Sequence, residues 1–152
     1  MKPLFVICED GTEYLDRFER FLGGEFRFLR TGSFAALVAA LADARGEDSG
    51  PAGLILDLDF RRTPAGELVD EAGAPLVIAS AGEQQRVSAV QGLFILRALR
   101  AHAVTLPALL CTDIDDPGQL AHLETELSPL GVVPSSESLT RLAARLRKLA
   151  GT

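Results

Sequence analysis

The chain has 152 residues, of which 47% are apolar and 24% charged, the proportions of an ordinary soluble globular protein large enough to bury a core as one domain spanning 1–152. Its formal net charge of −6 argues against nucleic acid as a direct partner. No apolar run approaches the roughly 20 residues needed to span a bilayer, so no membrane association is expected.

The N-terminus is basic and then apolar, but an acid arrives at Glu9, too early for a signal peptide. Leu4–Cys8 is therefore read as a first strand in a cytoplasmic protein. After Glu9-Asp10-Gly11, the residues Tyr14, Leu15, Phe18, Phe21 and Leu22 recur at helical spacing. Asp10 and Glu13 form a candidate capping pair, and Gly23-Gly24 ends the helix. Phe26–Arg30 alternates in part, which suits an edge strand. Ser33 caps a second helix with Phe34, Leu37, Val38 and Leu41 on its apolar face. Glu47-Asp48-Ser49-Gly50-Pro51 is a polar loop.

Gly53-Leu54-Ile55-Leu56 runs without polar alternation into Asp57 and Asp59. Such a run fits a strand covered on both faces, as in a parallel sheet. The next thirty or so residues, 61–90, are too many for an ordinary strand-to-helix connection of roughly 2–6 residues. Within them Glu67–Asp70 and Pro75–Ala79 flank Glu71-Ala72-Gly73, which predicts a β-hairpin insertion between the third strand and third helix.

Leu93, Leu96 and Leu99, with Arg97 and Arg100, mark that third helix. Pro107–Thr112 is a fourth strand. Asp116 caps and Pro117 opens a fourth helix, with Leu120, Leu123 and Leu127 inward. Gly131–Pro134 is a brief fifth strand. Ser138 caps the last helix, which turns Leu139, Leu142, Ala143, Leu146 and Leu149 to one side and Arg141, Arg145, Arg147 and Lys148 to solvent. Five strands alternating with five helices predict an α/β fold, a doubly wound parallel sheet with helices on both faces.

In such a sheet, ligands gather beyond the carboxyl ends of the strands. Glu9 and Asp10, Asp57 and Asp59, and Thr112, Asp113, Asp115 and Asp116 all fall there. Clustered carboxylates raise one another's pKa, and a hard divalent cation such as Mg2+ relieves the repulsion. The plainer alternative is that Asp10 and Asp116 are helix caps and that Asp113 and Asp115 are simply solvated. Cys8, Cys111, His102 and His122 lack metal-ligand spacing and are read as structural or incidental.

These residues resemble, in order and placement, the receiver domain of bacterial response regulators in two-component signalling. Glu9-Asp10 is similar to the acidic pair after the first strand, and Asp57, in Leu-Ile-Leu-Asp, to the phospho-accepting aspartate. Gln91-Gly92-Leu93 resembles the start of the third helix, and Thr112, in Leu-Leu-Cys-Thr, the hydroxyl residue ending the fourth strand. The resemblance implies a flavodoxin-like strand order 2-1-3-4-5 and Mg2+ held by Glu9, Asp10 and Asp57. It also implies phosphoryl contacts from Thr112 and the residue at position 135, and a histidine kinase or downstream signalling protein as partner. Two departures stand out: Ser135 takes the place of the family's lysine, and Val132 that of its aromatic residue. A serine supplies no charge to a transferred phosphoryl group, so an atypical or pseudo-receiver acting through protein–protein contacts, and not an enzyme, is expected.

Two other readings are open. Asp57-Leu58-Asp59 followed by Thr63 resembles the nucleophile motif of haloacid-dehalogenase-like phosphohydrolases, with Asp115-Asp116 as metal-binding acids; that motif belongs on a first strand, and here it follows two strand–helix units. The insertion is the other candidate working surface, for homodimerisation or docking, because an isolated hairpin must pack on something.

Overall fold

In the computed structural model, which describes residues 1–46 and 50–152, five strands form one parallel sheet. They are β1 (Leu4–Cys8), β2 (Arg27–Thr31), β3 (Pro51–Asp57), β4 (Ala108–Cys111) and β5 (Leu130–Val133), in the order β2-β1-β3-β4-β5. The fold and strand order are those expected. Every residue of β1 and the run Gly53–Leu56 of β3 are buried, because helices cover both faces.

Successive strand residues point to opposite faces, and the apolar run divides accordingly. Val6, Cys8, Leu54, Leu56 and Leu110 pack with α2 (Phe34–Ala44), α4 (Gln91–Ala101) and α5 (Pro117–Glu126). Phe5, Ile7, Ile55, Leu109 and Cys111 pack with α1 (Glu13–Leu22) and α6 (Leu139–Ala150). On this second face Phe5 meets Phe26 edge-on, with ring centroids 5.6 Å apart.

The caps at Ser33, Asp116 and Ser138 form as expected, each side chain accepting backbone amides of its helix. The Asp10–Glu13 pair does not cap α1, whose N-cap is Thr12. Two apolar residues assigned inward also differ. Phe21 is 57% exposed, because α1 meets the sheet through Phe18 and Leu22, and Arg20 stacks over the Phe21 ring instead. Val38 is exposed on the outer side of α2, whose buried face is Leu37, Leu41 and Ala44. Residues 47–49 of the expected polar loop lie outside the described residues.

The segment between β3 and α4 departs most from expectation. Its turn is where the hairpin was placed, with Gly73 at φ +85°, and the two arms form a short antiparallel pair at the bridge from Val69 to Pro75. Pro75 stands at the non-hydrogen-bonded position of that pair, so its missing N–H costs nothing across the arms, and the flanking bonds from Leu76 N to Leu68 O at 3.0 Å and from Asp70 N to Ala74 O at 2.9 Å are made. Both arms are also bound to the domain. Leu68 and Val69 are buried in the core, and Leu76 and Ile78 pack against it. Gln91 pairs with Val69 as a strand neighbour would: its Oε1 accepts the Val69 amide at 2.8 Å and its Nε2 donates to the Val69 carbonyl at 3.0 Å. A helix not anticipated, α3 (Ala81–Ala89), then leads into α4, so the structure has six α-helices among the described residues, not five. Its start carries a reciprocal cap: Ser80 Oγ accepts from Glu83 N and Glu83 Oε2 accepts from Ala79 N.

Candidate functional site

Strand register assembles the site. Cys8 of β1 lies beside Leu56 of β3, and Asp57 lies beside Cys111 of β4. Glu9, Asp57 and Thr112 therefore emerge together at the carboxyl edge. Asp57 is half-buried there, and burial raises its carboxyl pKa to about 6; the neighbouring Asp10 charge adds to this, while the amides of Leu58 and Asp59 oppose it.

Glu9 is 1% exposed. Its two oxygens accept the amides of Tyr14 at 3.0 Å and Leu15 at 2.9 Å, so it serves the orphan donors at the start of α1. Burial raises its pKa, partly offset by these amides. Asp10 is engaged with Arg62: its Oδ2 accepts the Arg62 backbone amide at 2.9 Å and its Oδ1 the guanidinium at 3.0 Å. The same guanidinium forks onto Glu13 at 2.6 and 2.9 Å and holds that carboxyl down at about 2. Glu9 and Asp10 thus both have two oxygens occupied by protein donors. Among the described residues no three His, Cys, Asp or Glu side chains are grouped to hold a metal ion. As arranged, the acidic pair does not fit Mg2+.

Thr112 is buried at the end of β4, its amide bonded to Val133 O at 2.9 Å. Ser135 is clasped to Asp113. Its hydroxyl lies 2.6 and 2.7 Å from the two carboxylate oxygens and its amide donates at 3.0 Å, so Asp113 titrates below the usual range. The Ser135 proton is therefore directed at Asp113. Asp59 pairs with Arg61 at 2.8 Å, and Asp116 is used as the α5 cap, so these two acids of the phosphohydrolase reading are engaged by protein partners.

Tyr14 went unrecognised in the sequence, where it belongs to an apolar helical stripe. It lines a small recess with Cys111, Val133 and Ser135, and burial together with nearby acids raises its phenol pKa. Gln91 was noticed only as part of a helix start. Cys8 and Cys111 are buried with thiols pushed up to about 12 by burial, which makes them unreactive.

No family model matches the sequence, and no curated protein matches it. Solved structures do match in fold. The N-terminal signal receiver domain of a two-component response regulator from Bacteroides fragilis superposes with a TM-score of 0.64 at 18% identity, covering 100% of this chain and 99% of that one. The receiver domain of NtrX from Brucella abortus gives 0.63 at 13% identity, with 97% and 98% covered. The Vibrio cholerae chemotaxis protein CheY4 gives 0.61 at 12%, with 98% and 99% covered. The fold is that of response-regulator receiver domains along the whole chain. No helix among the described residues is long and apolar enough to cross a membrane.

Proposed function

We propose that this chain is a cytoplasmic signalling module on the receiver fold that acts by contact with a protein partner and does not depend on phosphorylation of Asp57. The observation that carries the reading is the Ser135–Asp113 clasp. Transfer of a phosphoryl group to an aspartate places charge on three oxygens, and stabilising that charge calls for a cation. At the position of the family's lysine this chain has a neutral hydroxyl whose proton is already given to a carboxylate. The arginines following Asp57 are engaged too, Arg61 with Asp59 and Arg62 with Asp10 and Glu13. The partner class is a sensor kinase or a downstream signalling protein, as for the receiver domains that share the fold.

Incubation with acetyl phosphate and Mg2+, followed by intact-mass measurement, tests the reading. No phosphoryl adduct is expected on the wild type, and a partner captured by the wild type is expected to bind Asp57→Ala equally well. An adduct present on the wild type and absent from Asp57→Ala overturns it, as does loss of the partner in that variant.

A further inference from the structure

We propose that Arg62 is the resident cation of the acidic edge, occupying with its guanidinium the electrostatic role that a divalent ion would otherwise fill. The inference stands on the misfit between this edge and Mg2+, independently of how the module signals.

Four contacts carry it. Arg62 reaches two carboxylates from 49 and 52 residues away, with its backbone amide and guanidinium on Asp10 and both guanidinium nitrogens on Glu13. The Asp10 side chain is 6% exposed, so its charge is largely shielded from water and depends on this partner. A planar fork matches carboxylate geometry, which a point charge such as lysine would not.

The neighbouring backbone is arranged to receive the guanidinium. A Cβ on Gly11 would lie 2.4 Å from Arg62 Nη2 and 2.3 Å from Glu13 Oε2, so a side chain at residue 11 would push the fork out of the place it holds. Position 62 itself is set by its surroundings. Phe60 is fully buried and bonded through its amide to Ser88 O at 2.8 Å, and the Thr63 amide returns to Phe60 O at 3.0 Å. The cation is thus delivered by a tight turn on a buried anchor, and it ties the start of the insertion to the β1–α1 turn.

Removing the guanidinium should uncover Asp10 beside Asp57 and turn a closed edge into one that attracts divalent ions. Mn2+ titrated into isotope-labelled protein reads this directly, through broadening of the Asp10 and Asp57 amide resonances. Arg62→Ala is expected to bind roughly tenfold tighter than the wild type, since one neighbouring positive charge is lost. Arg62→Gln keeps a side-chain donor but no charge and is expected to gain likewise, whereas Arg62→Lys, which keeps the charge and loses the fork, gains less than either. The same spectra report whether each variant is folded. Equal saturation of wild type and Arg62→Ala, or no response in either neutral variant, overturns the proposal. Neither result bears on the phosphoryl-adduct and partner measurements.

Discussion

Gly92 sits directly against the backbone of Asp57. A Cβ placed on Gly92 would fall 1.9 Å from the Asp57 carbonyl oxygen and 2.8 Å from Leu58 Cα, and the Gly92 amide donates to Leu58 O at 3.0 Å. The first turn of α4 is therefore seated on the end of β3, and the seat sets where Asp57 stands. The atoms in the way are backbone, which cannot rotate aside.

Gly92→Ala is accordingly expected to lower stability by about 2–3 kcal/mol. Chemical denaturation of the variant beside the wild type measures it. A transition at unchanged denaturant concentration would show that β3 and α4 can separate at no cost, contrary to the packing described here.

Asp57 should impose a pH dependence. Its pKa is about 6 in the folded protein against an ordinary value of 3.8, so between these pH values the folded state binds more protons than the unfolded state. The contribution to stability is then full below about pH 4 and is lost as pH rises through about 6. Asp57→Asn, which cannot ionise, should gain on the wild type over that range. With allowance for solvent screening of a half-buried group, the gain at pH 8 is on the order of 1 kcal/mol. Paired denaturation curves at pH 4 and pH 8 check the sign, and carbon-detected titration of the Asp57 carboxyl should show a midpoint near 6. A variant advantage that shrinks as pH rises would contradict this.

Gln91 holds the insertion to the domain through two buried bonds to the Val69 backbone. Gln91→Leu leaves that N–H and C=O without partners, at an expected cost of about 2–4 kcal/mol. The loss should be local first. Hydrogen exchange at the Val69 amide is expected to accelerate strongly, with β1 and β3 amides changed only to the extent that global stability falls. Unaltered protection at Val69 would mean the amide–backbone pairing does not hold this segment.

Much of the architecture was legible because its signals are short-range. The apolar runs of β1 and β3 announce strands covered on both sides, and Ser33, Asp116 and Ser138 cap the helices they precede. In the insertion the turn is legible and the helix after it is not. The glycine turn between apolar pairs does bring its arms together in a short antiparallel pairing, and Gln91 extends that pairing from α4 to the outer side of Val69. The Ser80–Glu83 cap of α3 is present in the sequence, but the segment after it has little apolar periodicity to mark a helix. Phe21 and Val38 were assigned inward because a stripe wide enough to include them overestimates how much of a helix meets a sheet.

The sequence by itself determined which residues reach the carboxyl edge, since the strands and where they end follow from apolar patterning, while their order was implied by the resemblance to receiver domains. The resemblance to receiver domains also implied that Ser135 stands where that family has a lysine. Only the tertiary structure decided what each acid does there. Glu9 turns to the amides of α1, Asp113 clasps Ser135 across 22 residues, and Asp10 meets Arg62 across 52. Ion pairs and hydrogen bonds of that span depend on where folding brings the two chain segments, and no local pattern encodes the encounter.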